Sequence, residues 1–168
     1  MKLKYFALAA LMATGSAHAA IDAGTSGNGE LFFNIWDGSQ SYSFDLNKSI
    51  DAFETDLNAA GKLNLDWTLD GFGSFLAGIA NDAALRWNIT ATDISGARRI
   101  LATYTPPKDT TPLTADSGRS VAGAVNQKVL NGINLGLIGN AGTFSAADAG
   151  YTGNAAACLL YTSPIPRD

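Results

Sequence analysis

The sequence predicts a mainly β fold: an antiparallel β-sandwich or single sheet with two or three short helices packed on it. Three observations predict it. Two pairs of apolar–polar alternating runs are joined by Asp-Gly or Ser-Gly turns. Between and after them, apolar residues recur at helical spacing. The chain is also long enough to bury a core without cross-links, at about 138 residues once both ends are set aside.

The elements follow in order. Ala20 to Gly29 is rich in Gly, Ser, Thr and Asn and reads as a flexible leader. From Glu30, Leu31, Phe33 and Ile35 alternate with Phe32, Asn34 and Trp36, which puts apolar groups on both faces and predicts a central strand. Asp37-Gly38 is a turn, and Tyr42, Phe44 and Leu46 then alternate with Ser41, Ser43 and Asp45 to complete a hairpin. Asn47 is the expected cap of a helix carrying Ile50, Phe53 and Leu57 on one stripe, and Gly61 ends it. Leu63, Leu65 and Trp67 predict a short strand. Asp70 is the expected cap of a second short helix with Phe72, Phe75, Leu76 and Ile79.

Leu85, Trp87, Ile89 and Ala91 alternate with Arg86, Asn88, Thr90 and Thr92. After the 93–96 turn, Arg99 to Thr105 returns as a partner strand. Pro106-Pro107 ends that strand and Lys108 to Asp116 is a loop. A third helix is expected over Ser117 to Leu130, with Val121, Val125 and Val129 on one stripe. The remainder to Ala157 gives no clear pattern, and Gly136 to Gly153 reads as a loose connector. The expected core comprises Leu31, Phe33, Ile35, Phe44, Phe53, Leu57, Phe72, Phe75, Leu85, Trp87 and Ile89.

The two ends read as processing or foreign segments. Met1 to Lys4 is a basic start, Tyr5 to Ala13 is an apolar run, and Ala17-His18-Ala19 fits the small-residue cleavage rule. Residues 1–19 are therefore expected to be a signal peptide. Cys158 to Asp168 resemble the translated mosaic-end adapter of transposase libraries, CLLYTSPSPRD, differing only at Ile165, where the adapter gives Ser. The organisation expected is a signal peptide at 1–19, a single exported domain at 20–157 truncated at its C-terminus, and an adapter-derived tail at 158–168.

Trimming the ends removes the single histidine, His18, and the single cysteine, Cys158. Ser-His-Asp and Cys-His catalysis, disulfides, and zinc or haem sites built on His or Cys are thereby excluded from 20–157. Removing Lys2, Lys4 and Arg167 from 11 basic residues and Asp168 from 15 acidic ones leaves a net charge of −6. Scattered basic residues in an acidic chain argue against nucleic-acid binding.

Gly29 to Thr105 resembles a family of exported, mostly uncharacterised Gram-negative proteins of the PEP-CTERM-associated type. The matching residues are Gly-Glu-Leu-Phe-Phe-Asn-Ile-Trp-Asp (29–37), Ser-Tyr-Ser-Phe-Asp-Leu (41–46), Ala-Leu-Arg-Trp-Asn-Ile-Thr-Ala-Thr-Asp (84–93) and Arg-Arg-Ile-Leu-Ala-Thr (98–103). Where that family often reads Asp-Leu-Gly, this chain has Asp45-Leu46-Asn47. The resemblance implies export and a surface or matrix setting. It carries no active-site residue across.

Candidate sites are few. Tyr42, Trp36 and Trp67 are the rings best suited to a sugar face, with Trp87 beside them, although rings inside apolar alternation read first as core. Calcium needs only oxygen ligands, and Asp66 with Asp70, or Asp93 with the Ser95 hydroxyl, are the candidate ligands; no Asp-x-Asp-x-Asp-Gly loop is present. Asp37 and Asp45 complete the carboxylates at strand ends, none with an evident catalytic partner. The expected function is that of an exported, non-enzymatic structural protein of the cell surface or matrix. The alternatives are a carbohydrate-binding module and, further off, a two-carboxylate hydrolase. Expected partners are surface polysaccharide or other matrix proteins, and the membrane only through a C-terminal sorting segment beyond Ala157.

Overall fold

Asp37 builds the first corner. Its Oδ1 accepts from the Ser39 N–H (2.8 Å), the Ser39 hydroxyl (2.8 Å) and the Gln40 N–H (2.9 Å). Through that turn β1 (Glu30–Trp36) pairs antiparallel with β2 (Gln40–Ser49), with Phe33 opposite Phe44 and Ile35 opposite Tyr42. The computed structural model that shows this describes residues 20–79, 84–103 and 128–153, and the backbone of 163–164.

The other edge of β1 pairs with β3 (Arg86–Thr92), which turns back into β4 (Ile100–Ala102). On the far side, β5 (Ala141–Ser145) extends the sheet beyond β2, and β6 (Ser163–Pro164) adds to the outer edge of β3. The strand order is β4-β3-β1-β2-β5, and every pairing is antiparallel. The fold is thus a single sheet with β1 at its centre, where a strand with two apolar faces belongs.

Helix α1 (Ile50–Ala60) is capped by the Ser49 hydroxyl, which accepts from the Ala52 N–H at 3.3 Å, and it ends at Gly61. Asn47 is not the cap. It lies two residues earlier at φ +50, inside a bulge of β2, and its N–H donates to Asp45 Oδ1 at 2.7 Å. Helix α2 (Phe72–Ala77) starts from Gly71 with no side-chain cap, so Asp70 does not fill that role either. Residues 128–136 are helical (α3). The expected helix therefore continues past Leu130, while its stretch 117–127 lies outside the described residues, as does the 108–116 loop.

One expected strand is absent. Leu63 to Leu69 alternates in burial as a strand does, yet among the described residues its backbone joins no ladder. Trp67 and Leu69 instead pack as side chains against the core on one face of the sheet.

Both faces are covered. On one, Leu31, Ile35, Tyr42, Phe44, Leu46 and Ala91 bury against Ile50, Phe75 and Leu85, with Phe33, Phe53, Trp67, Phe72, Trp87 and Ile89 packed around them. On the other, Phe32 and Trp36 bury against Ile21, Leu130, Ile133, Leu137, Phe144 and Tyr151. The first core contains most of the residues expected from the sequence; the second was not expected.

That second core corrects two readings. The leader is not flexible, since Ile21 is 2 % exposed and its N–H and C=O both bond the Asn134 side-chain amide at 3.0 Å. Gly24 and Gly29 lie so close to Thr92 that a Cβ on either would sit 2.2 Å from its carbonyl oxygen. Likewise, part of 136–153 is a strand rather than a loose connector. The Phe144 ring lies in a cradle of glycines: a Cβ on Gly136, Gly142 or Gly150 would fall 2.4, 2.7 or 2.4 Å from it. Glycine spacing in such a segment reads as flexibility until the aromatic ring it surrounds is known.

Candidate functional site

The rings proposed for a sugar face are packed inside. Tyr42 is 1 % exposed; its ring lies 5.3 Å from that of Phe72 and 5.7 Å from that of Phe75, and its hydroxyl donates to the Asp70 carbonyl at 2.7 Å. Burial, with the charge of Asp70 adding to it, pushes the Tyr42 phenol well above its ordinary range. Trp36 is 5 % exposed in the second core. Trp67 and Trp87 are half-buried, and the Trp67 indole N–H donates to the Leu46 carbonyl at 3.3 Å. Among the described residues no aromatic side chain is fully exposed.

Among the proposed calcium ligands, Asp93 is completely buried, with Oδ1 accepting from the Gly29 N–H at 2.7 Å and Oδ2 from Arg99 Nε at 2.8 Å. The Ser95 hydroxyl donates to the Thr25 carbonyl at 2.8 Å, so the Asp93–Ser95 pair serves to fasten the leader. Asp66 and Asp70 are exposed, on the outward side of the 63–70 alternation. Among the described residues no group of three or more His, Cys, Asp or Glu is placed to hold a metal.

The acidic side chains that do converge surround Arg99. Its guanidinium meets Asp93 (2.8 Å), Asp51 (2.6 Å) and Glu54 (2.8 Å), tying α1 to the turn between β3 and β4. Hydrogen bonds from these carboxylates, Asp93 first, raise the guanidinium above its already high ordinary value. The constellation is a clamp in which one guanidinium holds three carboxylates.

A second polar feature escaped the sequence reading. Between β2, β1 and β3 the buried side chains Ser43, Asn34 and Asn88 form a chain, Ser43 Oγ donating to Asn34 Oδ1 (2.8 Å) and Asn34 Nδ2 to Asn88 Oδ1 (3.0 Å). Asp45 lies on the same face, 1 % exposed; Oδ1 accepts from Asn47 and Oδ2 has no partner. Burial pushes its carboxyl above the ordinary range, the Asn47 N–H pulls the other way, and the nearby charge of Glu30 pushes further up. Alternating Ser/Asn/Asp positions resemble a solvent-facing side, and only the far-off α3 and leader reveal that this side is covered.

An apolar opening toward solvent lies beside these elements. A cavity of about 150 Å³ is lined by Leu31, Phe53, Trp67, Ile89 and Leu101, with Thr90, Ala102 and Thr103 completing it. Thr103 Oγ1 there accepts the Ile89 N–H at 3.1 Å.

No protein-family model matches the chain, and no curated protein or solved structure matches it.

Proposed function

We propose that the chain is an exported, non-enzymatic structural protein of the cell surface or extracellular matrix of a Gram-negative bacterium. The observation that carries this reading is the clasp between Ile21 and Asn134. It stands two residues beyond the expected cleavage point after Ala19, so removal of a signal peptide there leaves this clasp in place.

Two further observations support the reading. The buried carboxylates Asp37, Asp45 and Asp93 each accept backbone N–H groups at corners of the sheet, as framework groups do. Asn47 occupies the left-handed region, at the position where the resembled exported family often has Gly; Asn and Gly are the residues that tolerate it best, so the departure is conformationally equivalent. The sugar-binding alternative requires an exposed aromatic row and the hydrolase alternative an open pair of carboxylates. Neither is favoured by the described residues. The partners proposed remain matrix proteins or surface polysaccharide.

Expression from Met1 in a Gram-negative host, followed by fractionation and intact-mass measurement, tests the reading. The expected product is exported and begins at Ala20. Full-length chain that retains His18 and stays in the cytoplasm contradicts it.

A further inference from the structure

We propose that the cavity beside Trp67 is a binding site for a small apolar molecule of about the size of one benzene ring. The proposal is independent of where the protein is exported.

The cavity's volume, about 150 Å³, is that of cavities that accept benzene or xenon when they are lined by aliphatic and aromatic side chains. Its walls are Leu31 from β1, Ile89 from β3, Leu101 from β4, Phe53 from α1 and the half-buried Trp67. Water needs polar partners to occupy such a space, and here they are already engaged. Thr103 Oγ1 holds the Ile89 N–H (3.1 Å), the Thr103 N–H donates to the Ile89 carbonyl (3.0 Å), Thr90 Oγ1 donates to the Leu101 carbonyl (3.0 Å), and the Trp67 indole N–H is bonded to Leu46. The free energy available is therefore mainly that of apolar contact.

Trp67 borders the cavity from a segment that lies outside the sheet. Residues 62–70 join no ladder among the described residues, and they run between Gly61 (φ +70) and Gly71 (φ +73), left-handed positions with open space around both. The segment is anchored by Trp67 to Leu46 and by the Tyr42 hydroxyl to the Asp70 carbonyl. The cavity is partly open to solvent, so a ligand can enter without displacing Trp67.

Benzene titrated into isotopically labelled protein of residues 20–168 is the test. Saturable shifts of the Trp67 indole N–H and of the Ile89 and Leu101 methyls are expected, with a rise in Tm that follows benzene concentration. Leu101→Phe and, separately, Ile89→Phe fill the space and are expected to weaken binding about tenfold or more while the remaining spectrum stays dispersed. The absence of saturable shifts up to the solubility of benzene overturns the proposal. So does binding that both folded filling variants leave unchanged.

Discussion

Asp93 Oδ2 and Arg99 Nε stand 2.8 Å apart across the turn between β3 and β4, the carboxylate wholly buried and the guanidinium a quarter exposed. Through Asp93 Oδ1 the same pair holds the Gly29 N–H, and through Arg99 Nη1 it holds Asp51 and Glu54 of α1. Three segments distant in sequence are thereby fixed to one another. Arg99→Met leaves a buried carboxylate without its cation and is expected to destabilise by about 3 kcal/mol in urea unfolding. Adding Asp93→Asn to that variant should restore part of the loss, because the uncompensated charge is gone. Equal stability of wild type and Arg99→Met would show that the clamp contributes nothing.

The glycine cradle gives a paired outcome. Gly150→Ala pushes a methyl group into the Phe144 ring and is expected to cost about 1–3 kcal/mol. Gly73→Ala, in α2 where a Cβ meets nothing within 4 Å, is expected to stabilise by about 0.4–1 kcal/mol. Thermal unfolding of the two single variants checks both signs.

The leader should behave as part of the core. Gly24→Ala places a Cβ 2.2 Å from the Thr92 carbonyl oxygen, and Gly24 also sits at φ +68. Its expected consequence is release of the leader, read as new proteolytic cleavage before Glu30 at protease levels that leave the wild type intact.

Asp45 sets a pH dependence of definite sign. Its folded-state carboxyl is raised by burial, against the pull of the Asn47 N–H and with the Glu30 charge adding to the rise. As pH climbs past the ordinary value of 3.8, the unfolded chain ionises first, and stability falls until the folded-state value is passed. Asp37 acts oppositely. Burial pushes its carboxyl up, but the Gln40 and Ser39 N–H groups and the Ser39 hydroxyl outweigh burial, so its contribution is present above 3.8 and is lost as pH falls below it. Asp45→Asn keeps an acceptor for Asn47 and removes the first effect. Its stability relative to wild type is expected to be greater near pH 7 than near pH 3, read from urea midpoints; an unchanged difference contradicts the assignment.

The hairpins and the first core were legible because their signals are local. Phe33, Ile35, Tyr42 and Phe44 alternate within one strand each, and Asp37-Gly38 marks the turn between them. Phe144, Tyr151 and Ile21 were not legible, because each is buried by partners far along the chain, Ile21 and Asn134 being 113 positions apart. Tyr42 illustrates the limit at the candidate site. Alternation put it on the apolar face, but the depth of that face depends on α2, whose Phe72 and Phe75 close over the ring. Asp93 reads from the sequence as a turn carboxylate and candidate calcium ligand, and nothing local announces that Gly29 and Arg99 take both of its oxygens.

Hydrogen exchange at the Ile21 amide tests most directly whether the fold begins where export processing would leave it. In protein starting at Ala20, that amide is expected to exchange as slowly as those of β1, since Asn134 holds it at 3.0 Å in a buried position. Exchange at the rate of an unstructured peptide would contradict the account.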